Sequence, residues 1–172
     1  PWIDPHTQQQ LAINRRANDA QVERLIELAN AHANIVFSLS VGNEATVGWS
    51  DHRVPMQRLL EFVNRIRPAV EQPITFCENY EPWKDQISPL ADALDFISLH
   101  SYPVWEYRPI AEALAYTIDN YRQVAQRYPD KPVVITEAGW TTRSNGQGID
   151  GWNASEHLQA QYYRELMDWS HS

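Results

Sequence analysis

The chain has 172 residues, of which 43% are hydrophobic and 21% charged, and its formal net charge is −8. These values predict one soluble globular domain over residues 1–172. The acidic balance, without a basic stripe, argues against a nucleic-acid partner, and no apolar run approaches the about 20 residues of a membrane span. The single cysteine, Cys77, excludes an internal disulfide, and its apolar neighbours favour a small core residue.

Helix and strand signals alternate along the chain. The predicted elements, in chain order, are a helix over 19–33, a strand over 35–43, a helix from Pro55 to Ile66, a strand over 74–79, a short weak helix, a strand over 94–102, a helix from Pro109 to Val124, a strand over 132–137 and a helix that begins at Asn153 or Ser155. Glu156 is available for a capping box at the last helix. This alternation is typical of a parallel sheet with right-handed crossovers.

The number of strands limits the possible architecture. No glycine-rich phosphate loop follows any strand, which argues against a nucleotide-binding doubly wound fold and leaves no cofactor expected. A closed (β/α)₈ barrel takes about 250 residues, so four strands are too few for one. We therefore predict an α/β fold of the (β/α)₈ TIM-barrel type, here an incomplete barrel that lacks several N-terminal strands and at least one C-terminal strand. Open sheet edges favour pairing with other chains, so we also expect self-association.

Side chains alternate between the two faces of a strand, which assigns each strand an inner and an outer set. In the first strand, Phe37, Leu39 and Val41 suit packing under the helices, and the opposite set would face the barrel interior: Ser38, Ser40, Gly42 and Glu44. Asn43 has the wrong parity for an interior role unless the strand bulges at Gly42. The later strands give two further sets, Ser98 with His100 and Tyr102, and Val133 with Ile135 and Glu137.

Two of the apolar strands end on a glutamate, Glu44 and Glu137. A carboxylate at the end of a buried strand is costly unless it has a function. Glycoside hydrolysis needs two carboxyl groups, and barrel enzymes carry such groups at the C-terminal ends of different strands. The pair predicts this chemistry, with a rim ion pair to an arginine as the alternative for either residue.

Several other residues are candidates for substrate binding. Glu78, Asn79 and Tyr80 follow the second strand, with an ion pair as the alternative role for Glu78. His100 is either a satisfied interior histidine or a ligand contact. Trp and Tyr combine an apolar face with a polar edge, which suits sugar rings, and three such residues lie in loops after strands: Trp83, Trp105 and Tyr107. Asp51 and His52 have no third ligand at helical spacing, so we expect no metal site.

Two segments of the chain resemble a known enzyme family. Val41-Gly42-Asn43-Glu44 and Ile135-Thr136-Glu137-Ala138-Gly139-Trp140 look like the two signature segments of glycoside hydrolase family 17, the clan A β-1,3-glucanases and related glucan transglycosylases. The resemblance runs from about residue 19 to 169. Its wording around Cys77, Glu78, Asn79 and Tyr80 and from Ser101 to Tyr107 is closest to the bacterial branch.

The resemblance implies roles for individual residues. Glu44 would end barrel strand four as the acid/base, and Glu137 would end strand seven as the nucleophile, so the chain would cover roughly strands four to seven. The family retains anomeric configuration, which places the carboxyl groups about 5–5.5 Å apart. Asn43 would bind the 2-hydroxyl, Tyr102 would lie near the nucleophile, and Trp140 would form the floor of a sugar subsite.

The resemblance also implies partners and leaves alternatives open. The substrate would be a β-1,3-glucan, the location periplasmic or secreted, and the parent protein of this branch often includes a membrane glucan synthase domain. Gly139-Trp140 is followed by Thr141-Thr142 where other branches have Pro-Ser, which predicts a different adjacent subsite. Hydrolysis and transglycosylation remain alternatives. So do a non-catalytic or inactive glucan-binding fragment and a clan A hydrolase of another β-glycan.

Overall fold

A computed structural model describes residues 5–51 and 53–172 of the chain. Its main elements are α1 (Pro5–Ala31), β1 (Leu39–Asn43), α2 (Met56–Ile66), β2 (Ile74–Asn79), α3 (Tyr80–Lys84), α4 (Ser88–Ala93), β3 (Ile97–Ser101), α5 (Ile110–Arg127), β4 (Val133–Ala138) and α6 (Glu156–Ser170). Short 3₁₀ turns lie at Arg67–Ala69, Pro103–Glu106 and Gly151–Asn153. No helix in the described ranges is long and apolar enough to cross a membrane.

The four strands form one parallel sheet in the order β1-β2-β3-β4. Sequential order in a parallel sheet, with helices between the strands, is the arrangement of a (β/α) barrel. The predicted incomplete barrel is therefore confirmed. Within the described residues, β1 and β4 each have a strand partner on one side only.

Two apolar clusters hold the helices against the sheet. The larger cluster lies between the outer face of the sheet and the helices α1, α2, α3 and α4, together with the end of α5. It includes Phe76, Trp83 and Leu99. The smaller one lies between α5, α6 and the end of β4, around Trp140 and Tyr162. The helix-facing residues of β1, Leu39 and Val41, are buried as the alternation of the strand predicts.

The first strand begins later than the sequence predicts. β1 starts at Leu39, and the predicted strand residues Ile35 and Phe37 lie outside it. Phe37 is 84% exposed, so the expectation that it packs under the helices was wrong. Phe37 has the same parity as Leu39. However, no neighbouring strand pairs with this segment in the described part of the chain, so the sheet does not extend to Phe37 and cannot bury its side chain.

The first helix begins earlier than predicted, whereas the last helix has its N-cap at Ser155, one of the two predicted starts, but lacks the predicted capping box. α1 begins at Pro5, well before the predicted start at residue 19. In α6 the N-cap is Ser155, whose Oγ accepts a hydrogen bond from the backbone N–H of Leu158 at 3.2 Å. Glu156 is then the first helical residue, too early for the reciprocal bond of a capping box, which needs a Glu at the third position.

Both carboxylate-bearing strands contain an extra residue near their ends. Between β1 and β2 the register passes from Ser40 opposite Thr75 to Asn43 opposite Cys77. The strand therefore bulges in the place where an interior position of Asn43 would need it, and Gly42 has a φ of 126° that favours glycine.

The second bulge lies in β4, where Ile135 pairs with Leu99 and Glu137 pairs with His100, so that Thr136 is the extra residue. The prediction that Val133, Ile135 and Glu137 share one face was wrong for this reason. Val133 and Ile135 pack against the helix-facing core, whereas the bulge turns Glu137 to the inner face.

Candidate active site

Glu44 is held at the C-terminal end of β1 by an unusual backbone conformation. Its φ is 44°, in the left-handed region that a non-glycine residue rarely adopts. Its backbone N–H donates to the carbonyl oxygen of Cys77 on the neighbouring strand at 2.9 Å. Strain of this kind is found where the surrounding structure fixes a functional side chain.

Glu137 lies on the inner side of β4 next to the phenol of Tyr102. The Tyr102 hydroxyl donates a hydrogen bond to Oε2 of Glu137 at 2.9 Å. Burial, this hydrogen bond and the charges of Glu137 and Glu44 raise the pKa of Tyr102 to about 12. Tyr102 therefore stays a neutral hydrogen-bond donor to Glu137 throughout the physiological pH range.

His100 connects the two carboxylates. Its Nδ1 lies 3.2 Å from Oε1 of Glu44 and 3.4 Å from Oε2 of Glu137, and the side chain is fully buried. Burial lowers the pKa of His100, but interactions with Cys77 and Glu44 and the charge of Glu137 outweigh burial, so the pKa lies above its usual value. A protonated imidazole at this position reduces the repulsion between the two carboxylates.

The two carboxyl groups are close together. One side-chain oxygen of Glu44, one of Glu137 and one ring nitrogen of His100 all lie within 4.8 Å of one another. Two carboxylates and an imidazole are groups that also bind metal ions. We assign no metal ion to them, because the hydrogen bonds of His100 account for the close approach.

A cleft of about 570 Å³ opens over the pair. Seven residues line it: Glu44, Trp49, Asn79, Tyr102, Trp105, Glu106 and Glu137. Trp49 is 64% exposed and Trp105 is 49% exposed, and they come from the loops that follow β1 and β3. The cleft thus combines a close carboxylate pair with exposed indole rings. The rings suit stacking against the apolar face of a sugar, next to carboxylates that can act on its bonds.

Sequence reasoning did not identify Trp49 and Glu106 as site residues. The Nε1–H of Trp49 lies 3.5 Å from Oε2 of Glu44, and Glu106 ends the 3₁₀ turn after β3. Both are in loops after strand ends, which is where barrel enzymes carry functional groups. Their position after a strand end was the sequence signal for a functional role. It did not distinguish these two residues from other residues of the same loops.

The structure brings together only some of the predicted substrate-binding residues. Asn79 lines the cleft, and its side chain also caps α3 by accepting from the N–H of Glu81 at 2.9 Å. Asn43 is exposed next to Glu44, and it lines a separate cavity between the inner end of β1, α1 and α2. The bulge gives it the inner parity, but it does not line the carboxylate cleft.

Glu78 and Tyr80 lie away from the carboxylate pair. Glu78 is fully buried, and its Oε2 accepts hydrogen bonds from the backbone N–H and the hydroxyl of Thr46, at 2.8 and 2.7 Å. It thereby fixes the loop after β1. Tyr80 is buried against Tyr116, to which its hydroxyl is hydrogen-bonded. Burial and that hydrogen bond raise the pKa of Tyr80.

The remaining predicted aromatic residues differ in their exposure. Trp140 is only 3% exposed, with its Nε1–H bonded to the carbonyl of Asn153 at 2.9 Å, and it lines a second cavity of about 570 Å³ together with Tyr102 and Trp105. Trp83 is fully buried behind the sheet, so its expected place in a glucan cleft was wrong. Tyr107, in the loop after β3, is exposed. The sequence gives Asp51 and His52 no third ligand for a metal ion, and His52 lies outside the described residues.

Comparison with known proteins identifies the chain's family. The sequence pattern of the BtgE/BtgC glycoside hydrolase domain matches residues 3–172. The chain belongs to this family. It is therefore a glycoside hydrolase domain, as the carboxylate pair predicts. A search of curated proteins finds no match to it.

Solved structures of similar fold are barrel enzymes. An endo-laminarinase from Formosa Hel1_33_131 matches with a TM-score of 0.80 and 23% identity, over 88% of this chain and 50% of that one. A family 17 β-1,3-glucanosyltransferase from Rhizomucor miehei matches with a TM-score of 0.73 and 24% identity, over 96% and 57%. A family 113 β-mannanase from Alicyclobacillus acidocaldarius has a TM-score of 0.59 and 21% identity, over 88% and 46%.

At these identities the likeness concerns the fold. The chain spans about half the length of the solved barrel enzymes that it matches. A half-length match to a (β/α)₈ barrel is what a four-stranded parallel sheet predicts, since such a sheet supplies half the strands.

Proposed function

We propose that this glycoside hydrolase domain acts on β-1,3-glucan with retention of configuration, in the manner of family 17. The observation that carries the proposal is that one carboxylate oxygen of Glu44 lies within 4.8 Å of one of Glu137. Retaining enzymes have carboxyl groups about 5–5.5 Å apart, whereas inverting enzymes leave about 6.5–9.5 Å for a water molecule. The close pair supports direct attack by one carboxylate.

The environments of the two carboxylates support the division of roles. Glu137 accepts a hydrogen bond at 2.9 Å from the phenol of Tyr102, and that donor holds in place the carboxylate that we assign as the nucleophile. Its oxygen attacks the anomeric carbon while the glycosidic C–O bond breaks. Glu44 gives its proton to the leaving oxygen and becomes a carboxylate.

In the second step Glu44 takes a proton from the incoming hydroxyl. The oxygen of that hydroxyl attacks the anomeric carbon, and the bond to Glu137 breaks, which restores both residues. Water as the incoming group gives hydrolysis, and a sugar hydroxyl gives transglycosylation. The exposed rings of Trp49 and Trp105 in the cleft support binding of a sugar acceptor and thus transfer.

The substrate assignment draws on the enzymes of similar fold. Two of them are named for laminarin hydrolysis and β-1,3-glucan transfer, and a mutant of the transferase was solved with laminaritriose. The signature segments around Glu44 and Glu137 support the same substrate class for the present chain. For the parent protein we propose a periplasmic or secreted location and a membrane glucan synthase as a partner domain.

The proposal is tested with reduced laminari-oligosaccharides and mass spectrometry of the products. We expect Glu137→Gln to form no products and Glu44→Gln to lower the rate by about 10²–10⁴-fold, the usual range for loss of an acid/base group. Glu112→Gln is the matched control, because Glu112 is an exposed glutamate on α5. Products longer than the substrate indicate transfer, and shorter ones alone indicate hydrolysis.

Four outcomes would contradict the proposal. Full activity of Glu137→Gln would remove the nucleophile assignment, and inverted products by NMR would remove retention. Glucan binding without turnover by the wild-type protein would favour a non-catalytic module. Turnover of β-1,4-mannan but not of β-1,3-glucan would favour another clan A specificity.

A further inference from the structure

Glu78 is a fully buried carboxylate near the end of β2. A carboxylate away from water costs free energy unless other groups compensate for the lost hydration. The ion pair that the sequence leaves open for this residue does not form: no lysine, arginine or histidine in ranges 5–51 and 53–172 pairs with it. Neutral hydrogen-bond donors therefore take the place of a cation.

The two oxygens of Glu78 hold two different segments of the chain. Oε2 accepts hydrogen bonds from the backbone N–H of Thr46 at 2.8 Å and from its hydroxyl at 2.7 Å. Oε1 accepts from the backbone N–H of Asn79 at 2.8 Å. Because two of the three donors are backbone groups, these bonds fix the main chain. One buried side chain thus joins the loop after β1 to the start of α3.

The loop that Oε2 holds carries the residue assigned as the acid/base. Glu44 lies two residues before Thr46, and Trp49, whose Nε1–H lies 3.5 Å from Oε2 of Glu44, follows in the same loop. The N–H of Glu44 bonds to the carbonyl oxygen of Cys77, a half-buried residue rather than the core residue that its apolar neighbours predict. Bonds to β2 therefore hold the main chain at Glu44, whose φ is 44°, and again two residues later.

The residue assigned as the nucleophile is held by other groups. Glu137 lies on β4, which β3 separates from β2 in the sheet, and its carboxylate accepts a hydrogen bond from Tyr102. Its register is set by pairing with His100 on β3. A change at Glu78 should therefore displace Glu44 and leave Glu137 in place.

We propose that Glu78 is the positioning residue of the acid/base. Through Thr46 it sets where the carboxyl group of Glu44 meets the leaving oxygen, and it touches no substrate itself because it is fully buried. Its other oxygen fixes Asn79, which lines the cleft, so that the acid/base and one wall of the cleft keep a constant relation. The effect on catalysis rests on the proposed function, whereas the effect on the loop does not.

The position of an acid/base can be measured by changing the leaving group. A sugar leaves as an alkoxide unless the acid gives its proton to the glycosidic oxygen, whereas dinitrophenolate is stable as an anion and leaves without a proton. With either substrate the oxygen of Glu137 forms a bond to the anomeric carbon, and the departing oxygen keeps the electron pair of the broken bond. A misplaced Glu44 should therefore slow cleavage of a glucan and spare cleavage of a dinitrophenyl glycoside.

The first test compares kcat/KM for a reduced laminari-oligosaccharide with kcat/KM for the dinitrophenyl β-glycoside of laminaribiose. In Glu78→Gln the amide nitrogen cannot accept a hydrogen bond, so either Thr46 or Asn79 loses its acceptor. We expect kcat/KM to fall by about 10- to 100-fold for the oligosaccharide, the effect of a small misplacement of a catalytic group, and by less than about threefold for the aryl glycoside. Equal losses on the two substrates would overturn the proposal.

Variants of Thr46 test the same link without a change at Glu78. Thr46→Val keeps the shape of the side chain but loses the hydroxyl donor, so we expect the selective loss on the oligosaccharide, and Thr46→Ser should recover most of it. Thr117→Val is the matched control, because Thr117 is a buried threonine on α5 whose hydroxyl bonds to that of Tyr162 at 2.6 Å. Equal ratios of the two kcat/KM values in Thr46→Val and Thr117→Val would overturn the proposal, even if Glu78→Gln does not fold.

The second test needs no turnover. The indole N–H signal of Trp49 in a proton–nitrogen NMR spectrum, assigned from its loss in Trp49→Phe, reports the position of the loop beside Glu44. We expect this signal to shift in Glu78→Gln and in Thr46→Val, while the signal of Trp152, which is 71% exposed, stays in place. An unshifted Trp49 signal would overturn the proposal. If the wild-type protein turns over neither substrate, the proposed function fails, and the indole signal still decides whether Glu78 holds the loop.

Discussion

The two carboxylates of the candidate site have different hydrogen-bond donors. Glu137 has the phenol of Tyr102 at 2.9 Å, and Glu44 has the indole N–H of Trp49 at the longer distance of 3.5 Å. His100 lies between them. The phenol of Tyr102 contacts Glu137 and not Glu44, and this difference in contacts supports separate roles for the two carboxylates.

Tyr102→Phe should weaken the reaction without changing its alkaline limit. The variant removes one hydrogen bond to a charged group, worth about 1.5–3 kcal/mol, so we expect kcat to fall about 10- to 100-fold. The pKa of Tyr102 is raised to about 12, so the neutral phenol donates at every working pH below that value. The loss should therefore be equal at pH 7 and pH 9.

The comparison is made by steady-state kinetics at both pH values. Tyr107→Phe is the control, because the Tyr107 hydroxyl contacts the loop carbonyl of Gln147 at 3.4 Å and no carboxylate. A loss in Tyr102→Phe that grows between pH 7 and pH 9 would show that ionisation of the phenol contributes, against the expectation.

At the scale of the elements, two bulges decide which side chains enter the site. The extra residue in β4 turns Glu137 to the inner face, and the extra residue in β1 gives Asn43 the inner parity, while Glu44 follows in a left-handed backbone conformation. A regular strand would leave Glu137 on the helix side with Ile135. The loop after β1, which follows Glu44, is also held in place, because buried Glu78 accepts hydrogen bonds from both the N–H and the hydroxyl of Thr46.

Gly42→Ala should disturb the bulge of β1. Gly42 has a φ of 126°, and an added Cβ would lie 2.9 Å from a ring carbon of Phe76. Strain and overpacking together should cost about 1–3 kcal/mol of the free energy of unfolding, or about 2–4 °C in Tm per kcal/mol. Activity should fall further than stability, because Glu44 follows two residues later.

Calorimetry and turnover assays on the same preparations check this expectation. Gly48→Ala is the control, since no atom lies within 4 Å of its added Cβ and the residue lies in the loop that follows β1. Equal Tm values and equal activities for the two variants would mean that the bulge tolerates a side chain.

At the scale of the whole molecule, the described residues form half of a barrel. The edges of β1 and β4 have no second strand partner in ranges 5–51 and 53–172. Val134 on β4 is exposed, and the end of β4 together with α6 lines a largely apolar groove of about 660 Å³. Unpaired strand edges next to apolar surface favour pairing with further strands.

The chain alone should therefore self-associate. We expect sedimentation velocity to show a weight-average coefficient that rises with protein concentration, and the shift should be smaller for Val134→Lys, which places a charge at the β4 edge. Glu112→Gln, an exposed change on α5 that also makes the net charge one unit more positive, serves as the control for altered net charge. A single monomeric species over the whole concentration range would contradict this expectation.

The sequence by itself determined the alternation of elements and the pair Glu44 and Glu137. Apolar periodicity and strand-end carboxylates are local properties of the chain, so they can be recognised without the fold. The same reasoning showed that Asn43 could reach the inner face only through a bulge at Gly42, but it did not decide whether the strand bulges there. It also identified His100 and Tyr102 as inner residues of one strand.

Only the tertiary structure decided the arrangement of the site. The bulge at Thr136, the burial of Glu78, Trp83 and Trp140, and the position of His100 between the two carboxylates all depend on what neighbouring strands and helices place opposite each residue. Strand parity gives the face of a side chain only while the register is regular, and register is set by pairing across the sheet. Cleft residues such as Trp49 were decided by loop geometry, which no periodic pattern encodes.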